Sequence, residues 1–278
     1  GGACRGFFSW GDYTWCNRAV EPGSGAPRPQ PRASGVGPPG GGVVGLSFGI
    51  RDRDRWSEFM GNRYRIPTQL YDCFYGNYNQ TGDVRGPLAH GAGPRRSTAR
   101  SVAGGDACPT WARAAANRNG CYEVPYEAHR VCVSQFNRTN RTTTTLHKLL
   151  DGRAPLSVHV KMDVEGSEWH QLADLVESPG DIARIRTLDM EVHFNMQPRV
   201  RDTDQSTMVA HMSTPSNKAS LTHLVELLER LTHKFAVTGS TLEPVIRKKR
   251  SSRGAHIVSR QGYDLDQFCI SFVNRALL

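Results

Sequence analysis

The chain has 278 residues, 38% hydrophobic and 22% charged. That length supports one sizeable core, and no apolar run approaches the roughly 18 residues of a membrane helix, so a helical membrane span, a collagen and a long coiled coil are excluded. Lys+Arg 35 against Asp+Glu 26 gives a formal net charge of +9. Only six of the 35 basic residues are lysine. An arginine-rich surface suits phosphate, nucleic acid, acidic glycans or anionic membrane. Here the arginines are scattered apart from Arg247-Lys248-Lys249-Arg250 with Arg253, which is the pattern of a solvated surface.

Residues 1–42 read as an irregular lead-in, with Cys4, Cys16 and the aromatics Phe7, Phe8, Trp10, Tyr13 and Trp15 before a Pro/Gly tract. The tract cannot build helix or a central strand. The part before it is expected to cap a main domain spanning 43–278. Residues 42–50 form an apolar run ending in a glycine turn, read as a buried strand. Trp56, Phe59 and Met60 then recur at helical spacing, and 69–74 reads as the second strand. Residues 76–120 are rich in Gly, Ala, Arg and Pro and read as a long surface insertion.

Arg130 to Ser134 is a third strand in this reading, and Thr145 to Leu150 a short helix. Val158 to Val164 is a strong strand with β-branched residues on one parity. Gly166 opens a helix whose apolar face is Trp169, Leu172, Leu175 and Val176; Arg186 to Phe194 is a fifth strand. After a polar stretch at 197–216, Leu221, Leu224, Val225, Leu228 and Leu231 mark an amphipathic helix. Phe235 to Val237 and Phe268 to Val273 supply the last strands. Strands alternating with helices predict an α/β, mainly parallel sheet covered on both faces; the last strand follows a loop and can run antiparallel.

In such a sheet, ligands bind beyond the carboxyl ends of the strands, near the switch point. Ser47-Phe48-Gly49-Ile50 follows the first strand, where a glycine lets a ligand approach the backbone. Asp72 lies 23 residues beyond Gly49, an offset that suits ribose hydroxyls. Asp163, Glu165 and Glu168 follow the fourth strand; Glu191 and His193 lie at the end of the fifth. Individually each has a plainer role: a turn glycine, a solvated acid, carboxylates capping a helix start, a hydrogen-bonded histidine. Their joint placement is what points to a site.

Lys161-Met162-Asp163-Val164-Glu165-Gly166-Ser167-Glu168-Trp169 is similar to the K-[IM]-D-[IV]-E-G-[AS]-E-W signature of FkbM-type methyltransferases. More closely, the chain resembles a methyltransferase-like branch with a cysteine-flanked aromatic lead-in and an S-F-G-I turn, here Cys4 to Cys16 and Ser47 to Ile50. Leu146 to Leu150, Leu188 to His193 and Phe268 to Asn274 resemble further segments of that family in order and spacing. The 76–120 insertion and the Pro/Gly tract depart from it.

The resemblance implies a Rossmann-like class I methyltransferase sheet with an antiparallel last strand, and S-adenosylmethionine as cofactor. Asp72 would take the ribose hydroxyls. Ser47, Phe48, Gly49 and Ile50 would pass by the methionine moiety, with the Asp163 carboxylate near the sulfonium. Transfer to oxygen needs a group that removes the hydroxyl proton, and Glu165, Glu191 and His193 are the candidates. His193 is favoured because its ordinary pKa lies near neutrality. A divalent metal on Asp163 and Glu191 is compatible with the residue types, but no spacing demands it.

The acceptor expected is a glycan or other hydroxylated small molecule. Seven cysteines without CxxC spacing argue against a zinc site. Sequons at Asn79, Asn137 and Asn140 join the cysteines in pointing to a secretory, disulfide-permissive compartment, with cytoplasm as the alternative. The start at Gly1 reads as that of a trimmed chain. Two competing readings stand beside this one. One is a non-catalytic binding protein on a methyltransferase fold. The other is a nucleic-acid methyltransferase, disfavoured because no aromatic-interleaved basic patch is visible.

Overall fold

The computed structural model describes residues 7–10, 13–16, 42–50, 54–72, 95–97, 124, 126–129, 131–133, 143–164, 166–193, 218–241 and 267–278. A hairpin of β1 (Phe7–Trp10) and β2 (Tyr13–Cys16) comes first, paired antiparallel with Trp10 opposite Tyr13. The lead-in is therefore not irregular throughout. Aromatics on both sides of a Gly-Asp pair are a hairpin pattern, and β2 lies against the last two strands of the main sheet.

The main sheet uses β3 (Val44–Phe48), β4 (Thr68–Tyr71), β5 (Arg95–Ser97), β6 (Tyr126–His129), β9 (Val158–Met162), β10 (Ile185–His193), β11 (Phe235–Thr241) and β12 (Gln267–Asn274). Between β6 and β9 a separate two-stranded sheet pairs β7 (Cys132–Val133) with β8 (Thr143–Thr144). The order across the main sheet is β11-β12-β10-β9-β3-β4-β6-β5. β3, β4, β6, β9 and β10 run parallel, β12 runs antiparallel between β10 and β11, and β5 is antiparallel at the far edge. This is a Rossmann-like, mainly parallel α/β sheet in which the last strand, β12, runs antiparallel.

The third strand of the sheet is β6, four residues earlier than the apolar run at Arg130 to Ser134 suggests. That run supplies β7 instead. β6 is Tyr-Glu-Ala-His, whose alternation is weak, so hydrophobicity points past it. Likewise, the 76–120 stretch holds an edge strand, β5.

Helices α1 (Arg55–Tyr64), α2 (Leu146–Leu150), α3 (Glu168–Glu177), α4 (Pro179–Arg184) and α5 (Lys218–Thr232) flank the sheet. α1 buries Trp56, Met60 and Tyr64, one per turn, and the Trp56 indole N–H donates to Asp189 Oδ2 of β10 at 2.9 Å. α3 buries Trp169, Leu172 and Leu175 as its spacing predicts. α4 starts on Pro179, whose missing N–H costs nothing in a first helical turn. On α5 the buried positions are Leu224, Leu227 and Leu231, while Val225 is 41% exposed. The true stripe lies one position round from the one that included Val225.

The core is continuous from Val44 and Leu46 through Val160 and Met162 to Leu188 and Phe272. β3 and β9 are buried at every position, as befits parallel strands covered on both sides. The Asn274 amide donates to Ile182 O at 2.9 Å and Ile185 O at 2.8 Å, anchoring the end of β12 to the α4–β10 junction. Cys132 is disulfide-bonded, whereas Cys269 is a buried thiol in β12.

Candidate functional site

β3 has β4 on one side and β9 on the other, so successive connections leave it in opposite directions. The switch point lies there, and the carboxyl ends of β3, β4, β9 and β10 meet around it. Gly49 closes β3 at φ +75°, and its N–H donates to Tyr71 O at 3.0 Å. A Cβ on Gly49 would lie 1.5 Å from Asp163 O. The glycine thus lets the ends of β3 and β9 touch, which only a residue without a side chain permits.

Asp72 follows β4 and is buried. Its Oδ2 accepts the Ile50 N–H at 3.0 Å, and its own N–H donates to His129 O at 3.1 Å. The carboxylate is therefore fixed beside the β3 turn. Behind it, Tyr71 stacks on His129, ring centres 4.8 Å apart, and meets Phe48 at 5.3 Å. Burial pushes the Tyr71 phenol up to about 12.

Lys161 is the one cation among the β9 residues Val158 to Met162, apart from the histidine, and its side chain is 6% exposed. A buried ammonium must be paired. Its Nζ donates to Phe48 O at 3.1 Å and Gly49 O at 2.7 Å, and lies 3.3 Å from Asp163 Oδ2. Those three acceptors use all three of its protons. Lys161 thereby ties the β3 turn to Asp163 and sets where that carboxylate stands.

Glu168 opens α3 with its side chain fully buried. Oε2 accepts the Gly166 N–H at 2.8 Å; Oε1 accepts the His193 backbone N–H at 2.9 Å and faces His193 Nδ1 at 3.0 Å. Trp169, the next residue, donates its indole N–H to His193 O at 2.8 Å. The start of α3 thus grips the end of β10 by three bonds. With a carboxylate at Nδ1, that nitrogen donates its proton to Glu168. Nε2 points toward Glu191, whose Oε1 is 3.8 Å away, too far for a hydrogen bond.

The ligand atoms of Asp163, Glu191 and His193 all lie within 4.8 Å of one another. His193 is 2% exposed, Glu191 22% and Asp163 27% at the side chain. The structure therefore brings together Asp163, Glu191 and His193, with Gly49 and Asp72 on the neighbouring strands. Ser47, Phe48 and Ile50 have buried side chains in the core, so only their backbone can meet a ligand. Glu165 lies outside the described residues.

Lys161 escapes a reading by position alone, and Glu168, read there only as one of the acids after the fourth strand, proves to be the partner of His193. Both are charged yet buried, and a charge in an apolar strand or beside a tryptophan signals a paired group rather than a solvated one. Nothing in spacing says that Glu168, rather than Glu191, holds the ring of His193.

No protein-family model and no curated protein matches the chain. Among solved structures, it is similar to the 16S rRNA (adenine(1408)-N(1))-methyltransferase from Catenulisporales acidiphilia, at 11% identity and TM-score 0.35, over 84% of this chain and 87% of that one. A variant of the same enzyme with cosubstrate SAM gives 11% identity and TM-score 0.32, over 84% and 85%.

Proposed function

We propose that the chain is an S-adenosylmethionine-dependent methyltransferase that acts on a hydroxyl of a glycan or other hydroxylated small molecule. The supporting observation is the placement of Asp72, Asp163 and the Glu191/His193 pair at three strand ends around one switch point. The fold alone would not carry this, since one fold hosts many functions. A fixed carboxylate beside the β3 turn suits the vicinal hydroxyls of a ribose, which Asp72 would accept as hydrogen bonds. Asp163, held in place by Lys161, would add negative charge where a sulfonium needs it.

Bound S-adenosylmethionine supplies an electrophilic methyl group. Asp72 and the β3 turn would orient it, and alignment accounts for much of the rate of such displacements. An acceptor hydroxyl must lose its proton as its oxygen is alkylated. Glu165, Glu191 and His193 are the groups we assign to that task, His193 first among them. We further infer a secretory compartment; the seven cysteines, the disulfide at Cys132 and the three sequons support it.

Calorimetric titration with S-adenosylhomocysteine tests the reading. Wild type is expected to bind in the micromolar range, and Asp72→Ala to lose that binding while keeping its fold. Absence of binding by well-folded wild type overturns it.

A further inference from the structure

We infer that Lys161 sets how strongly the cleft distinguishes the charged cofactor from its neutral product, and so makes the site responsive to the ratio of the two. This rests on the reading above and concerns the regulation of that same site. S-adenosylmethionine and S-adenosylhomocysteine differ by one methyl group and by the positive charge on sulfur. A carboxylate left unopposed beside that sulfur would hold the sulfonium and release the thioether. Asp163, the carboxylate assigned to the sulfonium, is already opposed: Lys161 Nζ lies 3.3 Å from its Oδ2.

The surroundings of the ammonium build this opposition into the fold. The Lys161 side chain is 6% exposed and that of Asp163 27%. Lys161 is therefore a positioning residue that acts through the carboxylate a ligand can reach. Its two other contacts are backbone carbonyls, Phe48 O at 3.1 Å and Gly49 O at 2.7 Å. Both belong to the β3 turn, which the Asp163 N–H also joins by donating to Phe48 O at 3.1 Å. An ammonium anchored to two carbonyls of that turn stays beside Asp163 with or without a ligand. Packing does not call for the charge. Val160 and Met162 flank Lys161 in β9 and are fully buried apolar residues. A methionine would fill the same space without the desolvation cost of a cation.

Glu191 stands at the same end of the cleft, within 4.8 Å of Asp163, so the field there is that of two carboxylates less one ammonium. Taking away the ammonium deepens the negative potential; neutralising Asp163 makes it shallower. Lys161 thus gives up part of the preference for the sulfonium, and the neutral product is held correspondingly longer. Turnover then falls as S-adenosylhomocysteine accumulates. Methylation follows the ratio of the two ligands rather than the cofactor alone.

The test is calorimetric titration of the purified chain with S-adenosylmethionine and with S-adenosylhomocysteine, read as the ratio of their dissociation constants. Lys161→Met is expected to shift that ratio about tenfold toward S-adenosylmethionine, and Asp163→Asn about tenfold the other way. Lys161→Gln, which keeps a donor for the Phe48 and Gly49 carbonyls, is expected to shift it as Lys161→Met does and carries the test should the methionine variant fail to fold. Lys161→Arg keeps the charge and is expected to restore the wild-type ratio. A merely structural lysine would weaken both ligands alike and leave the ratio where it was. Wild type that binds neither ligand overturns the cofactor reading, and this inference with it. Wild type that binds both, with the ratio unchanged in Lys161→Met or Lys161→Gln, overturns this inference alone.

Discussion

At the scale of single residues, burial decides what each charged group does. His159 lies in β9, fully enclosed, with Nδ1 2.7 Å from Thr187 Oγ1. Burial first, and the nearby Arg186 second, push its pKa down to about 3. The folded chain therefore keeps His159 neutral where the unfolded chain binds a proton. Its contribution is fully present above about pH 6.5 and is lost progressively as pH falls toward about 3, at about 1.4 kcal/mol per pH unit. Urea denaturation at pH 5.5 and 4.5 is expected to show that much more loss in wild type than in His159→Gln. Equal pH slopes would show that the histidine is not held neutral.

The same scale explains what the sequence revealed of the site. Asp72, Asp163, Glu191 and His193 are legible because strand ends are legible. The partners of these groups are not. Glu168 reaches His193 across 25 residues and Lys161 reaches Phe48 O across 113, and such contacts exist only once the sheet is assembled. A residue's role in a site depends on those long-range neighbours, which no local spacing encodes.

At the scale of elements, the clear strands and helices are the ones whose apolar pattern is complete. β3, β9 and β10 are nearly continuous buried runs, and α3 buries its stripe as spaced. β6, with Glu127 buried in a four-residue strand, and α4, only six residues long, lack such a pattern and are not legible from local sequence. Where elements join, backbone contact sets the tolerance. Gly49→Ala puts a methyl into the Asp163 carbonyl and forces a left-handed φ, which alone costs about 1–2 kcal/mol. Its urea midpoint is expected to fall by more than that figure implies, because the β3 and β9 ends must also part. Gly180→Ala in α4 meets only Arg184 Nη1, at 3.9 Å, and is expected to gain about 0.5–1 kcal/mol. A neutral Gly49→Ala would mean that the two strand ends are not in contact.

At the scale of the whole molecule, the net charge of +9 is carried mainly by dispersed arginines. Dispersed charge gives weak, sequence-independent attraction to polyanions that salt removes. Fluorescence anisotropy with a short single-stranded RNA is expected to show association at 20 mM salt and none at 200 mM. Tight, saturable binding at the higher salt would favour a nucleic-acid acceptor over the hydroxylated small molecule proposed here.

The order of strands across the sheet differs from their order along the chain. β12 is made after β11, yet it lies between β10 and β11, and it is β11's partner in the main sheet. On the ribosome, β11 emerges before the strand it must pair with. It waits, unpaired, until residue 274 has cleared the exit tunnel. A stop codon anywhere before residue 267 would therefore delete one strand and strand a second, leaving the outer edge of β10 open to other chains.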